Sequence, residues 1–281
     1  MTDYISLRID ITPCSTEATD LMAAFLADVG YESFVPDDNG LTAYITAADF
    51  NRNTVDEIIE GFPMAVTTDV AEEYVAGRDW NEEWEKNYFK PIVIGGECVV
   101  HSTFHKDIPS AVYDIVIDPK MAFGTGHHST TSLILEYLLG MPLDGKSVID
   151  MGTGTGILAI LCHKRGAKPV VGIEIERGAW QNAIENTSLN SAEQIRMIHG
   201  DASQLKDLES ADILLANINR NIILADMEDY ASKLKKGGIM ILSGFYEKDV
   251  PLLMETAHAL GLKEKARNSR EDWCALMLEK L

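Results

Sequence analysis

The chain has 281 residues, 46% hydrophobic and 24% charged, a globular composition long enough for one large domain or two ordinary ones. No run is apolar enough to span a bilayer, and Met1-Thr2-Asp3-Tyr4 lacks the basic start and apolar core of an export signal. The net charge of −20 is uneven, with 20 acidic against 5 basic residues in 1–100 and 24 against 19 in 101–281, either a solubilising surface or a field that repels phosphate backbones and draws basic partners.

Residues 4–11 alternate, with Ile5, Leu7, Ile9 and Ile11 on one face, as in a half-buried strand. Ser15 is expected to cap a helix carrying Leu21, Met22, Phe25, Leu26 and Val29, closed by Gly30. Strands are expected at 31–35 and 41–46 around the turn Asp37-Asp38-Asn39-Gly40. Asp49 is placed as the cap of a second helix through Val55, Ile58 and Ile59, and residues 64–70 return as a strand. The order β-α-β-β-α-β is that of a ferredoxin-like domain over residues 1–70. Nothing in it carries chemistry, so a binding role is expected.

Residues 71–90 read as a linker, charged and aromatic, with Trp80, Trp84 and Tyr88 four apart on one helical face. Residues 91–281 form the second expected domain. Short strands are expected at 92–94, 98–102 and 113–117, then apolar runs at 147–149, 169–175, 194–198, 211–216 and 239–243 with amphipathic helices between most of them. That alternation predicts a parallel sheet covered on both faces. Segments 262–267 and 273–278 read as a terminal hairpin, which adds an antiparallel strand and distinguishes a Rossmann-like methyltransferase sheet from a dinucleotide domain. Four widely spaced cysteines with no CxxC fit the reduced thiols of a cytoplasmic protein.

Chemistry concentrates where strands end, because ligands of open α/β sheets sit outside the carboxyl ends of the strands. Asp150-Met151-Gly152-Thr153-Gly154-Thr155-Gly156 follows one strand and opens a helix. Glycines there let a ligand touch bare backbone, and the preceding Asp150 suits a cationic ligand such as S-adenosylmethionine better than a pyrophosphate. Gly154 through Ala159 also satisfies the dinucleotide pattern, so a nicotinamide cofactor is the rival. Glu174, ending the next strand, can accept hydrogen bonds from both ribose hydroxyls or be a surface acid. Glu176 faces solvent or the next helix. Asp201 follows the third strand and can accept from an adenine amino group. Asn217 follows the fourth and can donate and accept near a reacting centre, or form a turn.

Upstream, Phe123-Gly124-Thr125-Gly126-His127-His128-Ser129-Thr130-Thr131 leads into an amphipathic helix expected to start at Thr130 or Thr131. Gly124 and Gly126 suggest a loop that closes over a ligand, and the helix start can hold a carboxylate. His127-His128 have no acid or cysteine at ligand spacing, so no metal is expected.

These segments, with Ala216-Asn217-Ile218, Gly237-Gly238 and Leu242-Ser243-Gly244, resemble the ribosomal protein L-11 methyltransferase (PrmA) family. The resemblance covers about residues 75–281, and Trp80 and Trp84 match the family's linker motif. It implies that Thr131, Gly152, Glu174 and Asn217 contact S-adenosylmethionine, and Phe123, Asp150, Gly154 and Asp201 complete the expected cofactor site. Asn217 is the expected catalytic residue, orienting the substrate amine. His127 and Ser129 stand where the family usually has Thr and Pro, Glu174-Ile175-Glu176 replaces Asp-Ile-Asp, and Asn219 replaces Leu.

The expectation is a monomeric cytoplasmic enzyme that methylates amino groups of ribosomal protein L-11. Its acidic amino-terminal domain would grip that basic protein, without direct nucleic-acid or membrane partners. Alternatives are methylation of nucleic acid or another amine, a nicotinamide-dependent oxidoreductase, and a non-catalytic ribosome-assembly binder. Asn217-Ile218-Asn219-Arg220 lacks the prolines and aromatic that usually receive a flipped base.

Overall fold

The computed structural model describes residues 3–75, 90–120 and 122–281, in two units spanning 1–80 and 81–281. The aromatic stripe Trp80, Trp84 and Tyr88 lies outside the described residues.

In the first unit the alternating segment forms β1 (Tyr4–Thr12), followed by α1 (Thr16–Asp28), β2 (Ser33–Asp37), β3 (Gly40–Thr46), α2 (Arg52–Glu60) and β4 (Thr67–Val75). The strands form one antiparallel sheet in the order β2-β3-β1-β4. Its inner face places Leu7, Ile9, Ile11, Leu41 and Ile45 against Met22 and Leu26 of α1 and Val55 of α2. Each such side chain taken fully from water contributes roughly 1.5–3 kcal/mol. Ser15 caps α1, its hydroxyl accepting from the Ala18 amide at 3.2 Å. The cap of α2 is Asn51 rather than Asp49. The Asp49 carboxylate instead accepts from the Thr46 hydroxyl at 2.6 Å, closing the preceding turn. β4 runs to Val75, past the expected end at residue 70, because it pairs with β1 all the way from Thr12↔Thr67 to Tyr4↔Val75.

The second unit begins with a small sheet of β5 (Ile92–Ile94), β6 (Cys98–His101) and β7 (Tyr113–Val116). Then come α3 (Ser129–Gly140), β8 (Val148–Met151), α4 (Ile157–Lys164), β9 (Val170–Glu174), α5 (Arg177–Leu189), β10 (Arg196–His199) and β11 (Ala211–Asn217). α6 (Arg220–Ser232), β12 (Leu234–Tyr246), α7 (Val250–Ala259), β13 (Leu262–Arg270) and β14 (Trp273–Lys280) complete the chain. The seven-stranded sheet has the order β10-β9-β8-β11-β12-β14-β13. β8 to β12 are parallel, and β14 is antiparallel to both β12 and β13. This mixed α/β sheet is covered on one face by Leu135, Leu138, Leu158 and Leu161. The other face is covered by Ile223, Met227, Tyr230 and Leu253. Strand order reverses between β8 and β11, which opens a crevice at their carboxyl ends. Among the described residues no helix is long and apolar enough to cross a membrane.

α3 starts earlier than expected. His128 is its cap, with Nδ1 accepting from the Thr130 amide, so Ser129 through Thr131 already lie in the first turn.

Three asparagines one turn apart, Asn182 and Asn186 on α5 and Asn190 at its carboxyl cap, stitch the two sheets together. The Asn190 amide accepts from Val116 N (3.0 Å) and donates to Val116 O (2.7 Å), which completes the ladder of β7 where no strand adjoins. Asn182 Nδ2 donates to Asp118 O at 2.7 Å. Asn186, fully buried, accepts from Asp118 N (3.0 Å) and donates to Thr155 O (2.9 Å). One side chain thus ties the strand before the 123–131 loop to the glycine turn after β8.

Candidate active site

The crevice at the switch point is a cleft of about 560 Å³, in the usual size range of small-molecule sites. The glycine turn forms its floor. Gly154 has φ +56, and a Cβ there would run into the Phe123 carbonyl oxygen; at Gly152, with φ +63, it would strike the Ile218 side chain. Only glycine leaves room for both the local fold and a ligand.

The 123–131 loop is seated on the glycine turn. Thr155 N donates to Phe123 O at 3.0 Å, Thr155 Oγ1 to Gly124 O at 2.6 Å, and Ser132 Oγ to Gly126 O at 2.6 Å. In this conformation the hydroxyls of Thr155 and Ser132 satisfy the loop carbonyls, so the loop lies against the glycine turn as a wall of the cleft. Phe123, 53% exposed, projects from this wall into the cleft.

Glu174 lies at the carboxyl end of β9, buried, and lines the cleft. Its Oε2 accepts from Gly154 N at 2.9 Å and its Oε1 from Glu176 N at 3.0 Å. Each oxygen keeps a lone pair for a ligand donor. The Glu176 carboxylate caps α5 through the amides of Gly178 and Ala179, and those bonds hold it below the ordinary carboxylate range. Asp201 lines the cleft and caps the short turn Ala202–Asp207. Hydrogen bonds from Ser203 keep it below the ordinary range, so it remains an acceptor.

Asn217 lines the cleft at the end of β11, while Thr131 lies fully buried behind it. Asn217 Nδ2 donates to Thr131 Oγ1 at 3.0 Å. That bond fixes the amide, and Asn217 Oδ1 is buried with no protein partner among the described residues. A buried acceptor without a donor is costly, and a ligand or substrate N–H can relieve it. Thr131 thus touches Asn217 rather than the cleft, whereas Thr130 lines the cleft.

Asp150 lies under the floor rather than at the cleft surface and is 1% exposed. Its Oδ2 accepts from Thr153 Oγ1 at 2.6 Å, and its Oδ1 is a second buried acceptor without a partner. Burial, with a smaller contribution from the charge of Glu174, pushes this carboxyl up to about 7 despite the Thr153 bond.

An aromatic wall was not expected from the sequence. Phe123 meets His128 edge-on at 5.3 Å, His128 meets Trp273 at 4.8 Å, and Trp273 stacks on Tyr246 at 4.3 Å. Trp273 opens β14, so it reaches the cleft only because the hairpin returns there. Its signal in the sequence is its place directly after the predicted hairpin turn. The cleft-lining residues include four acids, Glu174, Glu176, Asp201 and Asp226, and neither lysine nor arginine. Such a cleft favours a cation and disfavours a pyrophosphate. The donor set therefore fits the adenosine and cationic end of S-adenosylmethionine: acceptors at Glu174 and Asp201, bare backbone at Gly152 and Gly154, and an orphan acceptor at Asn217.

Comparison with known proteins agrees. The family model of ribosomal protein L11 methyltransferase (PrmA) matches residues 9–281. The chain is 47% identical over 275 residues to the ribosomal protein L11 methyltransferase of Bacteroides thetaiotaomicron, covering 97% of this chain and 98% of that one. It is 44% identical over 279 residues to the protein of that name from Porphyromonas gingivalis, covering 97% and 96%. A crystal structure of ribosomal protein L11 methylase from Lactobacillus delbrueckii subsp. bulgaricus is similar with a TM-score of 0.61 and 27% identity, over 69% of this chain and all of that one.

Proposed function

The chain belongs to the ribosomal protein L11 methyltransferase (PrmA) family, and from that premise we propose that it transfers methyl groups from S-adenosylmethionine to amino groups of ribosomal protein L11. The observation that carries this reading is the acid-lined cleft, without lysine or arginine, built over Gly152 and Gly154. We propose Glu174 as the acceptor for the ribose hydroxyls, Asp201 as the acceptor for the adenine amino group, and Gly152, Gly154 and Phe123 as the surfaces that cradle the cofactor. Asp150 supports the floor from below, and its negative form would be favoured by a cation above it.

When bound, S-adenosylmethionine supplies a methyl group already activated on a cationic sulfur. The protein's own work is then alignment and desolvation. A lysine ammonium has no lone pair, so the substrate amine can enter the acid-lined cleft charged but must lose a proton before it attacks. Its ordinary pKa of about 10.4 falls when aromatic surface takes it from water beside a positive charge. Phe123, His128 and Trp273 supply that surface. Asn217 Oδ1 accepts a hydrogen bond from the arriving amine and points its lone pair, with Thr131 holding the amide in that orientation. Solvent takes the displaced proton.

The front unit is proposed as a ferredoxin-like substrate-recognition domain whose end moves from the expected residue 70 to Val75, where β4 stops, joined through residues 76–90 to the methyltransferase domain at 91–281. The sheet order β2-β3-β1-β4 with two helices on one face supports the ferredoxin-like assignment. Within 1–80 there are 16 acidic and 3 basic residues, which suits a basic protein partner. The proposed protein acts as a cytoplasmic monomer. The test is mass spectrometry of ribosomal protein L11 after incubation with the full chain and labelled S-adenosylmethionine. Added methyl masses on lysines or the amino terminus are expected; an unmodified protein would refute the assignment.

A further inference from the structure

A second cavity of about 450 Å³ adjoins the cleft and shares Asn219, Gly244 and Trp273 with it. Its charge is reversed. Arg220 and Lys248 line it against a single acid, Asp249. Arg220 is braced: Nη1 donates to Asp249 Oδ1 at 2.7 Å, and Nε and Nη2 donate to Asn221 Oδ1 at 3.1 and 3.0 Å. Those bonds use three of the five guanidinium N–H groups and leave two for a ligand. Asp249 is itself buried and accepts from Tyr246 N at 3.1 Å, so the brace is anchored. Burial opposes its ionisation, but the bonds from Arg220 and Tyr246 hold it below the ordinary carboxylate range. Lys248 is exposed, its ammonium lying over the Tyr246 ring at 5.2 Å, and it makes no ion pair within 4.0 Å among the described residues. In a chain of net charge −20, this is a cationic pocket set directly beside an anionic one.

Resting on the methyltransferase reading above, we propose that the Arg220–Lys248 pocket is a specificity subsite that takes the carboxylate of an Asp or Glu flanking the target lysine in the substrate polypeptide. The two cavities then read a charge pair: the amine enters the acid-lined cleft, and its acidic neighbour crosses Trp273 into the cationic pocket. A wrongly signed neighbour meets like charge in either place, which discriminates without extra affinity for the right one. Arg220 presents a planar fork suited to a carboxylate, and Lys248 adds a mobile point charge.

The test uses the full chain and intact ribosomal protein L11. Each residue flanking a methylated lysine is changed singly to Glu and to Gln, and initial rates are resolved into KM and kcat. At one or more positions the Glu substrate should show a KM about two- to fivefold below its Gln partner, the span of a partly exposed charge pair, with kcat unchanged. The difference should shrink at high salt. Lys248→Glu should reverse the order, and Lys248→Met should remove most of it; a fold defect would raise both KM values together instead. Equal KM values at every position, or a preference that survives Lys248→Glu, would overturn the proposal. So would a result in which Lys248→Glu weakens binding of a ribosomal RNA oligonucleotide while the Glu and Gln substrates behave alike, because the pocket would then read phosphate. No methylation of the unsubstituted protein would refute the methyltransferase reading itself, and this inference with it.

Discussion

At Asp150 the structure shows a burial that the sequence motif leaves open. The residue was legible as an acid beside a glycine turn, but whether it faces a ligand or the protein interior depends on packing across β8, β9 and α4, which no local pattern encodes. Burial raises its carboxyl from an ordinary value near 3.8 to about 7. Between those pH values the folded protein holds a proton that the unfolded chain has released, so stability falls as pH rises through this window and levels off above it. A shift of this size corresponds to roughly 4 kcal/mol across the whole window. Asp150→Asn keeps the shape and can still accept from Thr153 Oγ1 without the titration. Denaturant midpoints of wild type and variant at pH 5 and pH 8 check this: the wild type should lose more stability over that interval, and equal losses would place the ionised form in the fold. Glu174 and Asn217 were legible for the opposite reason, since a strand end in an open α/β sheet is a position that sequence periodicity locates directly. The bond that orients Asn217 spans 86 residues to Thr131 and could be seen only in three dimensions.

Among the elements, the strand–glycine turn–helix unit was readable because β8, the turn and α4 are contiguous in the chain. The terminal hairpin was readable in outline too, and β13 and β14 each extend a few residues beyond the expected ends through mutual pairing. The role of α5 was hidden. Asn182, Asn186 and Asn190 look like an ordinary polar helix face, yet Asn186 is fully buried and bridges Asp118 N to Thr155 O. Asn186→Leu preserves volume and removes both bonds, leaving two buried backbone groups without partners at about 1–3 kcal/mol each. We expect the variant to bind S-adenosylmethionine at least tenfold more weakly, because the turn and the loop wall lose their common tether, while the front unit keeps its fold. Calorimetric titration and hydrogen exchange over residues 118–131 and 152–156 check this. Unchanged affinity with unchanged exchange would show that the Asn186 bonds do not support the cofactor cleft.

For the whole molecule, charge distribution was fully legible, while the counter-charged pocket at Arg220 and Lys248 was not, because its residues come from α6 and the segment after β12. The acidic front unit predicts that KM for the ribosomal protein rises several-fold between about 50 mM and about 500 mM salt, as screening shortens electrostatic reach from roughly 14 Å to roughly 4 Å. Affinity for S-adenosylmethionine, held in a cleft by short-range bonds, should change far less; steady-state kinetics at both salts check this, and a flat KM would remove the electrostatic role of the front unit. The most direct measurement of the central claim is calorimetric titration of the full chain with S-adenosylmethionine and, separately, with NAD, repeated on Glu174→Ala and Glu174→Gln. The account predicts binding of S-adenosylmethionine alone, weakened roughly tenfold to a hundredfold in both variants by loss of charge-assisted bonds. Binding of NAD, or affinity for S-adenosylmethionine that both variants retain, would contradict it.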